Sequence, residues 1–374
     1  MDRPFETDFG TLFPERKPLY PDNFGNFVGL GRRILITGAG GSIGSALAQR
    51  ICSASPQRLV LMDHSERAIS ALRRALDGCD RQDFVKFVLA DVRNDPSVES
   101  VLADEKPDFI FHAAAFKHVP LLEENPFTAV HNNGLATWRL ARTAANFGVA
   151  RLLLISTDKA ANPRSMLGAS KRLAELAILR WTSSRTRMSA LRLGNVAESS
   201  GSVLPIFREQ ILRGGPVTVT HPEATRYFLT MPETCAAIAT LASLPHASGL
   251  YLPAMGDSVL ILKIAERMMR AASAKNDAQI VKITGLRPGD KLHEDLLSRG
   301  ESTSGEVTPG IRAISGEPIK TESLDSQFQM IEEIVRRRDL GAMLQALREV
   351  VPEYQPGPTL RKKRAAAATG AGDD

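Results

Sequence analysis

From Arg33 onward the sequence alternates short apolar runs with longer amphipathic stretches, the pattern of repeated strand and helix units. Strands are predicted at 34–37, 59–63, 85–89, 109–113 and 152–156, and helices at 45–52, 68–76 and 135–147. The strand segments are apolar along their whole length, as required when helices cover both faces of a parallel sheet. The predicted fold is therefore α/β, a doubly wound parallel sheet at 31–195. After Asn195 a series of breakers (Gly201, Pro205, Gly214, Gly215, Pro216, Pro222 and Pro232) cuts the chain into short pieces. A smaller C-terminal α/β region at 196–350, mainly substrate-binding and with parts returning to the sheet domain, is expected there.

The ends read differently. Residues 1–30 carry Phe5, Phe9, Phe13, Tyr20, Phe24 and Phe27 among prolines and glycines, so an aromatic-rich arm is expected to pack on the domain or on a partner subunit. A homo-oligomer is expected. Residues 351–374 contain the basic run 361–364 followed by Ala, Gly and Asp, and are read as a disordered tail or, alternatively, a basic interaction patch.

Composition excludes several classes. The formal net charge is +5, but acids and bases are interspersed, which argues against a nucleic-acid partner and leaves scattered arginines for small anionic substrates. The three cysteines, Cys52, Cys79 and Cys235, lack metal or redox spacing, so no metal site is expected and buried thiols in a reducing cytoplasm are. No apolar run reaches the ~20 residues of a membrane span, and no signal peptide is evident. A cytoplasmic protein is the expectation.

The first strand runs into Gly38, Gly41, Ser42, Ile43 and Gly44, a glycine turn that opens a helix. In that context Gly38 makes the tight turn, Gly41 admits a pyrophosphate to the backbone, and Gly44 permits close helix–sheet contact. The helix N-terminus favours negative charge. Asp63, about 20 residues on and followed by His64 and Ser65, can accept hydrogen bonds from ribose hydroxyls, which favours NAD while leaving NADP open. Asp63 could equally cap the next helix. Asp91 and Val92 are placed to flank the adenine, or Asp91 to cap a helix. After His112, the small residues Ala113, Ala114 and Ala115 leave room for the cofactor. A Rossmann-type sheet is thus the expected fold.

The fifth strand ends in Ser156, Thr157, Asp158 and Lys159, at the edge where such sheets bind ligands. Lys171 stands on the helix that follows, and Asn133 on the helix after the fourth strand, where it supplies an active-site amide or marks a helix start.

The stretch from Arg33 to about Leu297 resembles the extended short-chain dehydrogenase/reductases, and among them the polysaccharide-biosynthesis branch of UDP-N-acetylglucosamine 4,6-dehydratases. The resemblance rests on residues 37–44, 112–120, 124–126, 156–163, 168–171, 194–196, 221–222, 225–226 and 285–289. It implies C4 oxidation by NAD, C5 deprotonation with loss of the C6 hydroxyl, and hydride return to C6. It further implies Lys159 as the C5 base, with its pKa lowered by burial and nearby positive charge, and Asp158 as the acid for the departing hydroxyl. Thr157 would lie near the C4 oxygen and Lys171 would bond the nicotinamide ribose. Leu167 occupies the position of the superfamily's tyrosine, as in some longer members of the branch, and leaves the C4 base open among Thr157, Asp158, Lys159 and solvent. Arg226 and Arg287 are read as contacts for the UDP diphosphate. Asn195 and Lys117 are candidates for sugar or phosphate, Lys117 also for the cofactor, or for satisfying backbone groups. The remaining alternatives are a UDP-sugar 4-epimerase and a non-catalytic dinucleotide-binding protein.

Overall fold

The structure, a computed structural model, describes residues 9–14, 31–77, 82–272, 280–316 and 322–362. Strands β1 (Arg33–Thr37), β2 (Arg58–Asp63), β3 (Val85–Leu89), β4 (Phe109–His112), β5 (Arg151–Thr157) and β6 (Arg187–Leu193) run parallel in the spatial order 3-2-1-4-5-6. Gly249–Pro253 adds a further parallel strand beside β6. Ile311–Ser315 pairs antiparallel with it, and Ser302–Thr308 closes a nine-stranded sheet.

Successive residues of a strand point to opposite faces, and β1 shows the result. Ile34 and Ile36 pack with Leu47 and Ile51 of the helix Ser42–Ser53, while Leu35 joins Val60, Ile110, Leu140 and Ile178 on the other side. Each such aliphatic side chain contributes roughly 1.5–3 kcal/mol when fully buried. Because β1 lies between β2 and β4, the chain leaves its centre in opposite directions, and a crevice opens at the carboxyl ends of β1 and β4.

The helices Leu324–Arg337 and Leu340–Val350 return to the sheet domain, where Phe328, Ile331, Leu344 and Leu347 pack with Trp138, Met166 and Leu173. Several expectations are corrected. Residues 351–362 are not a disordered tail, since Val351, Tyr354 and Leu360 are buried in the same cluster, whereas 363–374 lie outside the described residues. Asn132 and Asn133 do not start a helix but sit inside a π-helical turn, Val130–Leu135, that runs into the helix Ala136–Asn146. Cys52 is disulfide-bonded, against the expectation of thiols throughout; Cys235 is a buried thiol, and Cys79 lies outside the described residues.

Of the N-terminal arm, Phe9–Leu12 forms one helical turn, and Leu12 and Phe13 are buried against Phe207, Phe228 and Met268 of the smaller region. Phe5, Tyr20, Phe24 and Phe27 lie outside the described residues. Among the described residues no helix is long and apolar enough to cross a membrane.

Candidate active site

A cleft of about 230 Å³ lies over the carboxyl end of β1. Its base is Thr37, Gly38, Gly40 and Gly41; one wall is Asp63, His64, Asp91 and Val92, and the other is Ala113, Ala114, Ala115 and Phe116. Gly38 has φ +69°, and a Cβ there would stand 2.5 Å from Ala114 N, so the turn requires glycine. At Gly44 a Cβ would meet Gly38 O at 2.2 Å, which fixes the close approach of helix and turn. The helix Ser42–Ser53 begins at Gly41 without a side-chain cap, leaving first-turn amides for an anion.

Asp63 is buried and ties the cleft together, accepting from Gly40 N at 3.0 Å and Ser65 N at 2.9 Å. It does not cap the following helix; Ser65 does, accepting from Ala68 N. Asp91 likewise caps no helix, that role falling to Asn94. Instead its carboxylate grips Arg93, whose hydrogen bonds hold it below the usual carboxylate range. His112 is buried between Thr37 Oγ1 at 2.7 Å and Thr137 Oγ1 at 2.8 Å, and burial, reinforced by Lys171, pushes its pKa down to about 3. It is a neutral structural ring. A glycine turn that admits no side chain, open helix amides and a buried acid beside small residues fit a dinucleotide.

Ser42, Ile43, Gly44, Ser65, Lys117 and Lys171 do not line this cleft. Ser42 Oγ accepts from Ser200 N at 3.0 Å, and Lys117 Nζ donates to Ser199 Oγ at 3.3 Å, so both fasten the 199–200 loop over the cleft's edge.

Beyond β5 the chain makes a 3-10 turn, Asp158–Ala160, capped by Thr157. Asp158 is fully buried; its Oδ1 accepts from Thr157 Oγ1 at 2.9 Å and Lys159 Nζ at 3.0 Å, while Oδ2 meets no donor among the described residues. Lys159 Nζ also reaches Asn195 Oδ1 at 3.2 Å and Glu294 Oε1 at 3.5 Å. Burial alone would lower the Lys159 pKa, but the carboxylates of Asp158 and Glu294 outweigh burial and Arg226, and raise it. The expected depressed lysine is therefore corrected for the protein alone, in which the two carboxylates hold Lys159 as an ammonium.

Lys171 projects from the helix Met166–Trp181 and donates to Ile155 O at 2.7 Å; burial, partly opposed by Glu175, lowers its pKa to about 8. Leu167, one turn earlier on that helix, is buried. Beneath them Ser156 Oγ and Arg192 Nε both donate to Glu175 Oε1, at 2.7 and 2.8 Å, clamping β5, β6 and this helix together.

Three substrate candidates are placed otherwise than expected. Asn133 is buried and does not line the β1 cleft: its Oδ1 accepts from Phe116 N at 2.9 Å and its Nδ2 donates to Phe116 O at 3.0 Å and Ser170 Oγ at 3.1 Å. It pins the 113–117 loop to the helix Met166–Trp181. Arg226 spends its fork on the carbonyls of Thr225 at 2.7 Å, Leu292 at 3.0 Å and Lys291 at 2.8 Å, and so braces the 291–294 segment rather than facing a diphosphate. Arg287 is not beside it. It is exposed, ion-paired with Asp290 at 2.9 Å, and lines a separate groove of about 700 Å³ with Arg164, Arg348 and Arg361. The sequence reading also missed residues. Phe116 and Asn132 line the cleft, and Glu294, just past the 285–289 motif, closes on Lys159.

Comparison with known proteins places the chain in a family. Residues 34–315 match the family model described as polysaccharide biosynthesis protein. The chain is 41% identical over 296 residues to the capsular polysaccharide biosynthesis protein CapD of Staphylococcus aureus, covering 78% of this chain and 49% of the relative. It thus spans about half of that relative's length. A UDP-glucose 4-epimerase of Rickettsia bellii (strain OSU 85-389) is 30% identical over 74% of this chain and 80% of its own. The solved structure of Pen from Bacillus thuringiensis superposes with a TM-score of 0.69 at 25% identity, over 82% of this chain and 98% of that one. The chain belongs to the polysaccharide biosynthesis protein family, within the extended short-chain dehydrogenase/reductases.

Proposed function

We propose that this chain is a nucleotide-sugar-modifying enzyme, a 4,6-dehydratase that acts on UDP-N-acetylglucosamine or a related UDP-sugar with NAD held in the β1 cleft. The observation that carries the reading is the pairing of buried Asp158 with half-buried Lys159 at the carboxyl edge of the sheet, joined at 3.0 Å. Gly38, Gly41 and the amides opening the helix Ser42–Ser53 would hold the pyrophosphate, and Asp63 the adenine ribose; NADP, with a phosphate at that ribose, suits the acid less well. When bound, the dinucleotide supplies a reversible hydride site that makes C4 a ketone and later reduces C6.

The pair accounts for the rest. One proton passing from Lys159 Nζ to Asp158 across their hydrogen bond yields a neutral amine and a carboxylic acid together. The amine takes the C5 proton, and the acid gives its own to the leaving C6 hydroxyl, which departs as water. The proton of the C4 hydroxyl has by then passed to solvent, at the step that made the ketone; Lys159 returns its proton to C5 as C6 is reduced, and a proton taken back from solvent restores the ammonium. Thr157, one bond from Asp158, orients the acid. Lys171, cationic in part near pH 8, adds positive potential beside the nicotinamide ribose.

Incubation with UDP-N-acetylglucosamine, followed by NMR of the sugar, tests the assignment. A 4,6-dehydratase replaces the C6 hydroxymethyl signal with a methyl; an epimerase, the second reading favoured by the Rickettsia relative, inverts C4 and keeps C6. An unchanged sugar signal would count for a non-catalytic role.

A further inference from the structure

Glu294 sits 136 residues beyond Asp158 in sequence but beside it in space. Its side chain is only 2% exposed, and Oε1 lies 3.5 Å from both Lys159 Nζ and Arg226 Nε. Its other oxygen, Oε2, accepts no hydrogen bond from the described residues, and Asp158 Oδ2 is in the same condition. A buried carboxylate oxygen without a donor is costly and calls for a reason. Arg226, which donates to three backbone carbonyls but keeps its charge, accounts for one side of this carboxylate, and Lys159 stands at the same distance on the other.

The chain spends effort to hold Glu294 there. Arg226 fixes the carbonyls of Lys291 and Leu292, and Lys291 Nζ anchors the same segment to Ala161 O at 2.8 Å. The carboxylate is thereby held against the turn that carries the pair. The charged groups facing Lys159 are Asp158, Glu294 and Arg226, with Asn195 as a neutral acceptor. Lys291 is turned away, onto Ala161 O and Asp295.

We propose that Glu294 is a positioning residue for Lys159, its buried carboxylate holding the amine between itself and Asp158 and so keeping the shorter Lys159–Asp158 bond aligned for transfer of the proton. The role rests on the dehydratase reading, in which the pair must carry one shared proton when substrate arrives. Removing the Glu294 charge lets Lys159 titrate at lower pH and also frees the amine from its place beside Asp158; the lost placement outweighs the easier release of the proton, so turnover falls with little change in KM.

The decisive measurement needs no substrate. In protein labelled with ¹⁵N at lysine Nζ, the Lys159 signal is identified by its disappearance in K159M and followed against pH. In Glu294→Gln the transition should move down by about 1 pH unit or more, the size expected for losing an opposite charge within ~4–6 Å. Glu294→Asp, which keeps the charge but withdraws it by one methylene, should fall between; it also decides the matter should Glu294→Gln not fold. Identical Lys159 titration in the folded variants and wild type would overturn the proposal. If wild type does not turn over UDP-sugar, the functional reading fails while this titration still stands. If wild type is active, Glu294→Gln should lose at least ~10-fold in kcat, and unaltered kcat likewise overturns the positioning role.

Discussion

Asp63 Oδ2 accepts a hydrogen bond from Gly40 N at 3.0 Å, so the acid that ends β2 is fastened to the glycine turn that follows β1. The residue that would meet the ribose therefore also shapes the seat of the pyrophosphate. Asp63→Ala should weaken NAD binding by roughly 10- to 100-fold, the range for losing hydrogen bonds to a charged group. Titration calorimetry checks this, and unaltered affinity would separate Asp63 from the cofactor.

Gly38→Ala should abolish dinucleotide binding and lower the melting temperature. At φ +69° a left-handed alanine costs about 1–2 kcal/mol, and its Cβ would collide with backbone at Ala114 rather than with a side chain that can move. Thermal melting with and without NAD reads both effects.

Lys159→Ala should leave NAD affinity within about twofold and reduce turnover by at least ~10²-fold, the lower end of what a general base supplies. The two measurements together matter, because loss of both would point to misfolding. Full activity would remove Lys159 from the proton path.

Lys171 makes a prediction in pH. Its folded pKa is about 8, against 10.5 for an ordinary lysine, so between these values the unfolded chain binds more protons than the folded one. Stability conferred by this site must then rise from about pH 8 to about pH 10.5, by an amount of order 3 kcal/mol. Urea denaturation of wild type and Lys171→Met at pH 7.5 and 10 should show the stability difference shift in favour of wild type at the higher pH. Parallel curves would mean that the amine is solvated.

Asn133→Ala should lower stability by about 1–3 kcal/mol, since the Phe116 N–H and C=O lose their partner inside the protein. The loop 113–117 should loosen and cofactor affinity fall with it. Hydrogen exchange at Phe116 is the direct readout, and undiminished protection would argue against the clamp.

The parallel strands were legible because each is an apolar run buried on both faces, and β1 to β5 fall within a residue or two of their expected positions. The glycine turn was legible for a related reason, since a left-handed bend beneath a neighbouring strand admits one residue type. Side-chain destinations were not. Nothing local tells whether the Arg226 fork meets a phosphate or the carbonyls of residues 291 and 292, or whether the Asn133 amide meets a sugar or the Phe116 backbone. Glu294 was passed over because its partner Lys159 lies far away in sequence. The direction of the lysine's shift was misjudged with it, since burial and a nearby cation are present but two carboxylates outweigh them. The tail was misread because its basic run drew attention from Tyr354 and Leu360, two apolar anchors too widely spaced to mark a helix.

Tyr354 Oη donates to Met166 Sδ at 3.1 Å. Met166 is the neighbour of Leu167 and opens the helix that bears Lys171. A cut before Tyr354 would therefore uncover the leading turn of the helix on which the amine is mounted, so that a change more than 180 residues downstream would be felt as slack at the reaction centre.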